Sequence, residues 1–135
     1  MNIKNHLSND GKTLDLGNFK LTELPELPEG LKYLYCGNNK LTELPELPEL
    51  PKGLETLYCS NNQLTQLPEL PKGLLILDCD YNQLTELPEL PKGLKILYCG
   101  NNKLTELPEL PKGSKPPPII APKGEFFSLE QIYYI

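Results

Sequence analysis

Residues 54–73 read L-E-T-L-Y-C-S-N-N-Q-L-T-Q-L-P-E-L-P-K-G, and this stretch decides the fold. Its first half alternates. Leu57 and Cys59 fall on one face of an extended chain, while Thr56 and Tyr58 fall on the other. Its second half, Leu-Thr-Gln-Leu-Pro with a further Glu-Leu-Pro, cannot be helical, because proline lacks an amide donor and clashes with the preceding turn. Such a segment suits polyproline II, with about three residues per turn. Gly73 is expected to let the chain bend into the next strand.

The same sentence recurs. The units are Leu31–Gly53, Leu54–Gly73, Leu74–Gly93 and Leu94–Gly113, and Leu54–Gly73 and Leu94–Gly113 agree at 15 of 20 positions. A degenerate unit, Gly11–Gly30, precedes them as the first coil, so that Leu74–Gly93 is the fourth, and keeps Leu14, Leu16, Leu21, Leu24 and Leu27. Proline is abundant, 15 of 135 residues, and without a period that would suggest disorder. Here the prolines hold fixed offsets, so they mark a repeat. One strand and one extended return make one coil. A single coil cannot bury its own leucines, so the coils must stack into a solenoid. Strands are expected near Thr13–Leu16, Tyr33–Tyr35, Thr56–Tyr58, Ile76–Asp78 and Ile96–Tyr98.

The hallmark L-x-x-L-x-x-x-x-N-x-L stands intact at Leu31–Leu41, Leu54–Leu64, Leu74–Leu84 and Leu94–Leu104. With L-P-x-L-P in the return, the pattern resembles the short bacterial class of leucine-rich repeats carried by translocated effectors of the YopM and IpaH type. The resemblance implies a right-handed, mainly β solenoid with a single concave parallel sheet of short strands and a helix-free convex side. It also implies a buried asparagine ladder, Asn39, Asn62, Asn82 and Asn102, bonding the backbone of adjacent coils. Phe19 takes that place in the first unit and reads as an end effect. Cysteine at the sixth position is unusual for the class and resembles the stacked cysteines of the internalin J type.

Those cysteines, Cys36, Cys59, Cys79 and Cys99, occupy one equivalent position per coil. Strands about 4.8 Å apart would set the sulfurs in a line. A zinc site needs four sulfurs about 2.3 Å from one ion in a tetrahedron, which a line does not supply. A disulfide between neighbours demands a particular dihedral angle. A reduced row packing as small hydrophobes is the reading adopted, and it suits a reducing compartment, the cytoplasm or a host-cell cytosol.

The outward strand positions carry the functional expectation. Tyr33, Thr56, Ile76 and Ile96 stand at the third position of each unit. Tyr35, Tyr58, Asp78 and Tyr98 stand at the fifth, preceded by Asp15. Just beyond lie Asp80, Tyr81, Asn61 and Asn101. Tyrosine combines a large apolar ring with a polar tip and is enriched in binding surfaces. The alternative is that β-forming residues simply fill strand positions. The repeated Lys52, Lys72, Lys92 and Lys112, and Glu46, Glu69, Glu89 and Glu109, read as solvated faces.

A net charge of -5 argues against a nucleic-acid footprint. No apolar run is long enough for a membrane span, and residues 1–6 lack the apolar stretch of a secretory signal. His6 is the single histidine and lies outside the repeats, and no catalytic constellation, cofactor motif or metal site is legible. The expected organisation is a lead-in over 1–12, repeats over 13–113, and a proline-rich linker with an apolar cap or tail over 114–135. The function expected is non-enzymatic protein binding on the concave face by a monomer. The alternatives are a recognition fragment of an effector ubiquitin ligase without its catalytic domain, or a purely structural array. The unit Leu31–Gly53 has 23 residues where its neighbours have 20. Its extra Glu-Leu-Pro lies in the return, where the period is about three, so the sheet is expected to pass without a break in register.

Overall fold

The computed structural model describes residues 1–46 and 49–105. Five three-residue strands, β1 (Thr13–Asp15), β2 (Tyr33–Tyr35), β3 (Thr56–Tyr58), β4 (Ile76–Asp78) and β5 (Ile96–Tyr98), form one sheet in chain order. All four pairings are parallel. The first strand ends one residue short of Leu16. Equivalent positions pair throughout, so Leu14, Leu34, Leu57, Leu77 and Leu97 lie in line across the sheet. Leucine-rich solenoid architecture is therefore present, and no helix occurs on the return side among the described residues.

The core is the inner row of these leucines with the cysteines two residues on, closed by Leu31, Leu54, Leu74 and Leu94 before the strands and Leu41, Leu64 and Leu84 after them. In the returns, Leu44, Leu50, Leu67, Leu70 and Leu90 complete the inside. The alternation thus selects which face is buried, and the prolines keep the return extended enough to lay two more leucines against the strand.

The long unit leaves the sheet intact. Leu34 pairs with Leu57 and Tyr35 with Tyr58, and the Cys36 amide donates to the Tyr58 carbonyl at 2.7 Å. On the return side, Leu44 and Leu50 occupy the inward places that Leu67 and Leu70 hold one coil later. The Leu50 amide donates to the Glu46 carbonyl at 3.0 Å. The expected outward bulge between Pro45 and Lys52 falls partly on Leu47 and Pro48, which lie outside the described residues.

The glycines between coils sit in the turns where the chain bends into each strand, but in ordinary backbone. The turn into each strand is closed by an amide-to-carbonyl bond from Leu54 to Pro51, Leu74 to Pro71 and Leu94 to Pro91, at 3.1–3.2 Å. Gly53, Gly73 and Gly93 are not among the residues with positive φ. A Cβ added at Gly53 or Gly73 would meet nothing within 4 Å. The chain bends at the proline-initiated turn, without the left-handed backbone that favours glycine.

The lead-in covers the first edge of the sheet. After one turn of 3-10 helix at Ile3–Asn5, Leu7 forms an antiparallel bridge to Leu14. The Asp15 amide donates to the His6 carbonyl at 3.1 Å, and the Ser8 amide to that of Thr13 at 2.8 Å. These bonds occupy backbone groups that an open edge strand would offer to another chain. Phe19, 41% exposed, packs edge-on against His6 with ring centroids 4.7 Å apart. The cap or tail expected over residues 114–135, with a short helix beginning near Ser128, lies outside the described residues.

Leu77 is fully buried in a central coil, and Lys72 is exposed. Leu77→Ala is expected to lower stability by about 2–5 kcal/mol through the cavity it leaves. Lys72→Ala should change stability by no more than about 0.5 kcal/mol. Urea melts of the two variants check this assignment of inside and outside, and equal losses would refute it.

Candidate functional site

The corner after each strand sets the frame for the outer face. There the backbone turns out of the sheet while still partly buried. Asn62 Nδ2 donates to the carbonyls of Cys36 at 3.0 Å, Cys59 at 3.1 Å and Ser60 at 3.2 Å, while its Oδ1 accepts the Leu41 amide at 3.0 Å. Asn82 does the same with Cys59, Cys79 and Asp80, and accepts from Leu64. Asn39 and Asn102 repeat the arrangement at either end, and Asn39 Oδ1 accepts the amides of both Phe19 and Leu21. Each amide therefore reaches its own coil and the one before it.

The cysteines stand just inside this corner, almost fully buried, and all four sulfurs are thiols rather than disulfides. Burial pushes the Cys36 thiol up to about 12, and Cys59 and Cys79 well above the ordinary range. A thiol held protonated is neither a nucleophile nor a metal ligand. Among the described residues, no three Cys, His, Asp or Glu side chains are grouped as a metal site requires.

The outer face presents two rows. Tyr33, Ile76 and Ile96 are half-buried at the third position. Thr56, expected to be exposed beside them, is only 5% accessible. It is the smallest side chain of that row and sits in register between the larger Tyr33 and Ile76, so it offers a partner little surface. The fifth-position row is Asp15, Tyr35, Tyr58, Asp78 and Tyr98, in register from strand to strand. The Tyr35 and Tyr58 rings lie 4.9 Å apart at 58°. Burial, and then the neighbouring Tyr35, Asp78 and Tyr98, raise the Tyr58 hydroxyl above its usual value.

The fourth coil departs from its neighbours. Where they carry Tyr at the fifth position, it carries Asp78; where they carry Gly or Ser at the seventh, it carries Asp80. Asp80 Oδ1 accepts the Gly100 amide at 2.7 Å, so this residue, expected on the binding face, also ties the fourth coil to the fifth. Asp78 Oδ1 accepts the Asp80 amide at 3.1 Å. Burial raises the Asp78 carboxyl above the ordinary value of 3.8, against that hydrogen bond, which lowers it.

Tyr81 is the residue whose setting sequence reasoning missed. The eighth position adopts the left-handed backbone in every coil: φ is 65° at Asn18, 55° at Asn38, 52° at Asn61, 53° at Tyr81 and 50° at Asn101. Asparagine tolerates that conformation, whereas a bulky side chain is strained there by about 1–2 kcal/mol. Asn61 Nδ2 also donates to Asn38 Oδ1 of the preceding coil at 2.9 Å. Tyr81 offers Asn101 no such oxygen, and the buried Asn101 Nδ2 has no partner among the described residues. Tyr81 itself is 45% exposed on the rim beside Asp78 and Asp80. The signal in the sequence was Asn at this place in the coils on either side.

Tyr81→Asn is expected to raise stability by about 1 kcal/mol by removing the strain. A drop in the urea midpoint would refute it. A second expectation follows from Asp78, whose folded pKa is raised, so that its ionisation opposes folding above that value. Asp78→Asn should stabilise the chain at neutral pH, and the advantage should vanish as the pH falls through the raised value to below 3.8, where the wild-type carboxyl is protonated in both states. A gain independent of pH in thermal melts would contradict this assignment.

The model of tandem leucine-rich repeats, two copies per match, fits residues 29–72 and 72–112. No curated protein sequence matches the chain. Solved structures do. The leucine-rich-repeat domain of a Shigella effector is 35% identical with a TM-score of 0.75, covering 88% of this chain and 51% of its own. YopM from Yersinia enterocolitica WA-314 is 40% identical with a TM-score of 0.74, covering 88% of this chain and 25% of its own. YopM from Yersinia pestis, described as a leucine-rich effector protein, is 40% identical with a TM-score of 0.77, covering 90% and 33%. The present chain thus spans about half of the first and a quarter to a third of the others. Shared repeats, shared coil geometry and a family match over most of the sequence lead to one conclusion: the chain belongs to the leucine-rich-repeat family.

Proposed function

We propose that the chain is a non-enzymatic protein-binding module whose partner docks on the concave sheet face, in the manner of a bacterial effector's recognition repeats. The observation that carries this reading is the half-exposed row Tyr35, Tyr58, Asp78 and Tyr98, held in register by the sheet with Tyr33, Ile76 and Ile96 beside it. Aromatic rings aligned on a rigid frame offer contact area at little entropic cost. The strained, exposed Tyr81 at the rim supports the same face, because backbone strain clusters at functional sites. The similarity to effector repeat domains supports the effector class, and the buried, protonated thiols suit a reducing compartment.

The coverage of half or less of the similar structures leaves room for a second reading, in which these repeats are the recognition part of a larger effector such as a ubiquitin ligase. Both readings place the partner on the same face.

Simultaneous Tyr35→Ser, Tyr58→Ser and Tyr98→Ser substitution should abolish capture of a partner by the full chain while leaving its thermal melt nearly unchanged. Partner isolation with wild-type chain as bait and the triple variant as control reads this directly. Undiminished capture by the triple variant would move the site off the concave face.

A further inference from the structure

The face has a charge that no ion pair among the described residues neutralises. Tyr58 on β3 and Tyr98 on β5 are the register partners of Asp78 on β4, one on each side. Adjacent strands are about 4.8 Å apart, so one carboxylate lies between two rings, within reach of a single bound group. Asp80 stands two residues further along the same outer edge. Lysines are absent from the third, fifth and seventh positions of the coils, and those nearest the strands, Lys12, Lys32 and Lys95, stand at the second. Lys32 is engaged with Glu55 at 3.1 Å, the one ion pair among the described residues. Asp78 is thus a half-buried carboxylate without a counter-ion there, and burial strengthens its field by excluding water. Ile76 and Ile96, adjacent in register, line the floor beside it.

We propose that the row Tyr58–Asp78–Tyr98 is the specificity subsite of the concave face, and that it receives the cationic end of a lysine or arginine side chain projecting from a protein partner. This rests on the concave-face reading above and adds the partner's chemistry. The carboxylate supplies the opposite charge, and the tyrosine rings add cation–π attraction on either side. The isoleucines accept the alkyl stem, which long basic side chains bury along apolar surface. Asp80 extends the negative field along the rim, although one of its oxygens is committed to Gly100. A neutral or acidic side chain would leave Asp78 desolvated with no compensation, so the subsite discriminates by penalty as well as by attraction.

The test uses the full 135-residue chain with labelled tyrosine rings, titrated by NMR at low salt with butylguanidinium and with its neutral isostere butylurea. Butylguanidinium should shift Tyr58 and Tyr98 with a dissociation constant at least about fivefold below that of butylurea. The preference should disappear in Asp78→Asn, persist in Glu69→Gln on the return side, and shrink as salt is added. Equal binding of both probes at these tyrosines would overturn the cation assignment while leaving the face a binding surface. A preference that survives Asp78→Asn would overturn it as well. Shifts confined to other residues, or no shifts, would overturn the subsite and count against the concave face too.

Discussion

At the end of each strand the chain must leave the sheet through a buried corner, where backbone groups lose their strand partners. A buried amide or carbonyl left unpaired there would destabilise the fold by about 1–3 kcal/mol. One asparagine per coil meets that demand: its Nδ2 binds carbonyls of two successive coils and its Oδ1 accepts an amide of the earlier one. Asparagine is suited because a primary amide both donates and accepts on one short stem. Coil spacing, strand register and the line of leucines inside all follow from that corner being the same each time. The inserted triplet of the second coil shows how local this constraint is. The return changes length, yet the corner bonds of Asn39 and Asn62 are made as elsewhere.

Because the corner fixes the backbone, most side chains on the outer face are released from holding the fold. The coils on either side of the fourth repeat Tyr, then Gly or Ser, then Asn along this face; the fourth reads Asp78, Asp80, Tyr81. Two of these three replacements act against stability as the coil stands alone: a carboxylate is desolvated between tyrosines, and a tyrosine occupies a left-handed backbone position. The third, Asp80, contributes a bond to the next coil. A nearest-neighbour array tolerates such a concentration of cost in one unit, because the adjoining interfaces supply the compensation.

The sequence made the architecture legible because its periods are sharp. Alternation assigned the inner face to Leu57 and Cys59, and the proline triplets identified the return. The arithmetic of three against two anticipated that Leu34 and Leu57 would stay paired across the insertion. What remained hidden is three-dimensional. Thr56 reads as exposed by parity, but its larger neighbours in register leave it 5% accessible. The chain does bend at the glycines, but in ordinary backbone, and the left-handed backbone sits at Asn18, Asn38, Asn61, Tyr81 and Asn101 instead. The lead-in carries no repeat signal, so its pairing with the first strand appears only in the structure.

A surface built from identical coils cannot address a partner, since sliding by one coil of about 4.8 Å would present the same groups again. Tyr35, Tyr58 and Tyr98 alone have that ambiguity. Asp78 interrupts the row once, and with Asp80 and Tyr81 it gives the face a position that no shift reproduces. Contact area would then come from the repeated tyrosines, while register comes from the departure. In the proposed arrangement the strain at Tyr81 and the burial of Asp78 would be the physical expression of specificity: both oppose folding of the face alone, and both would be relieved or compensated only by a partner seated in one register.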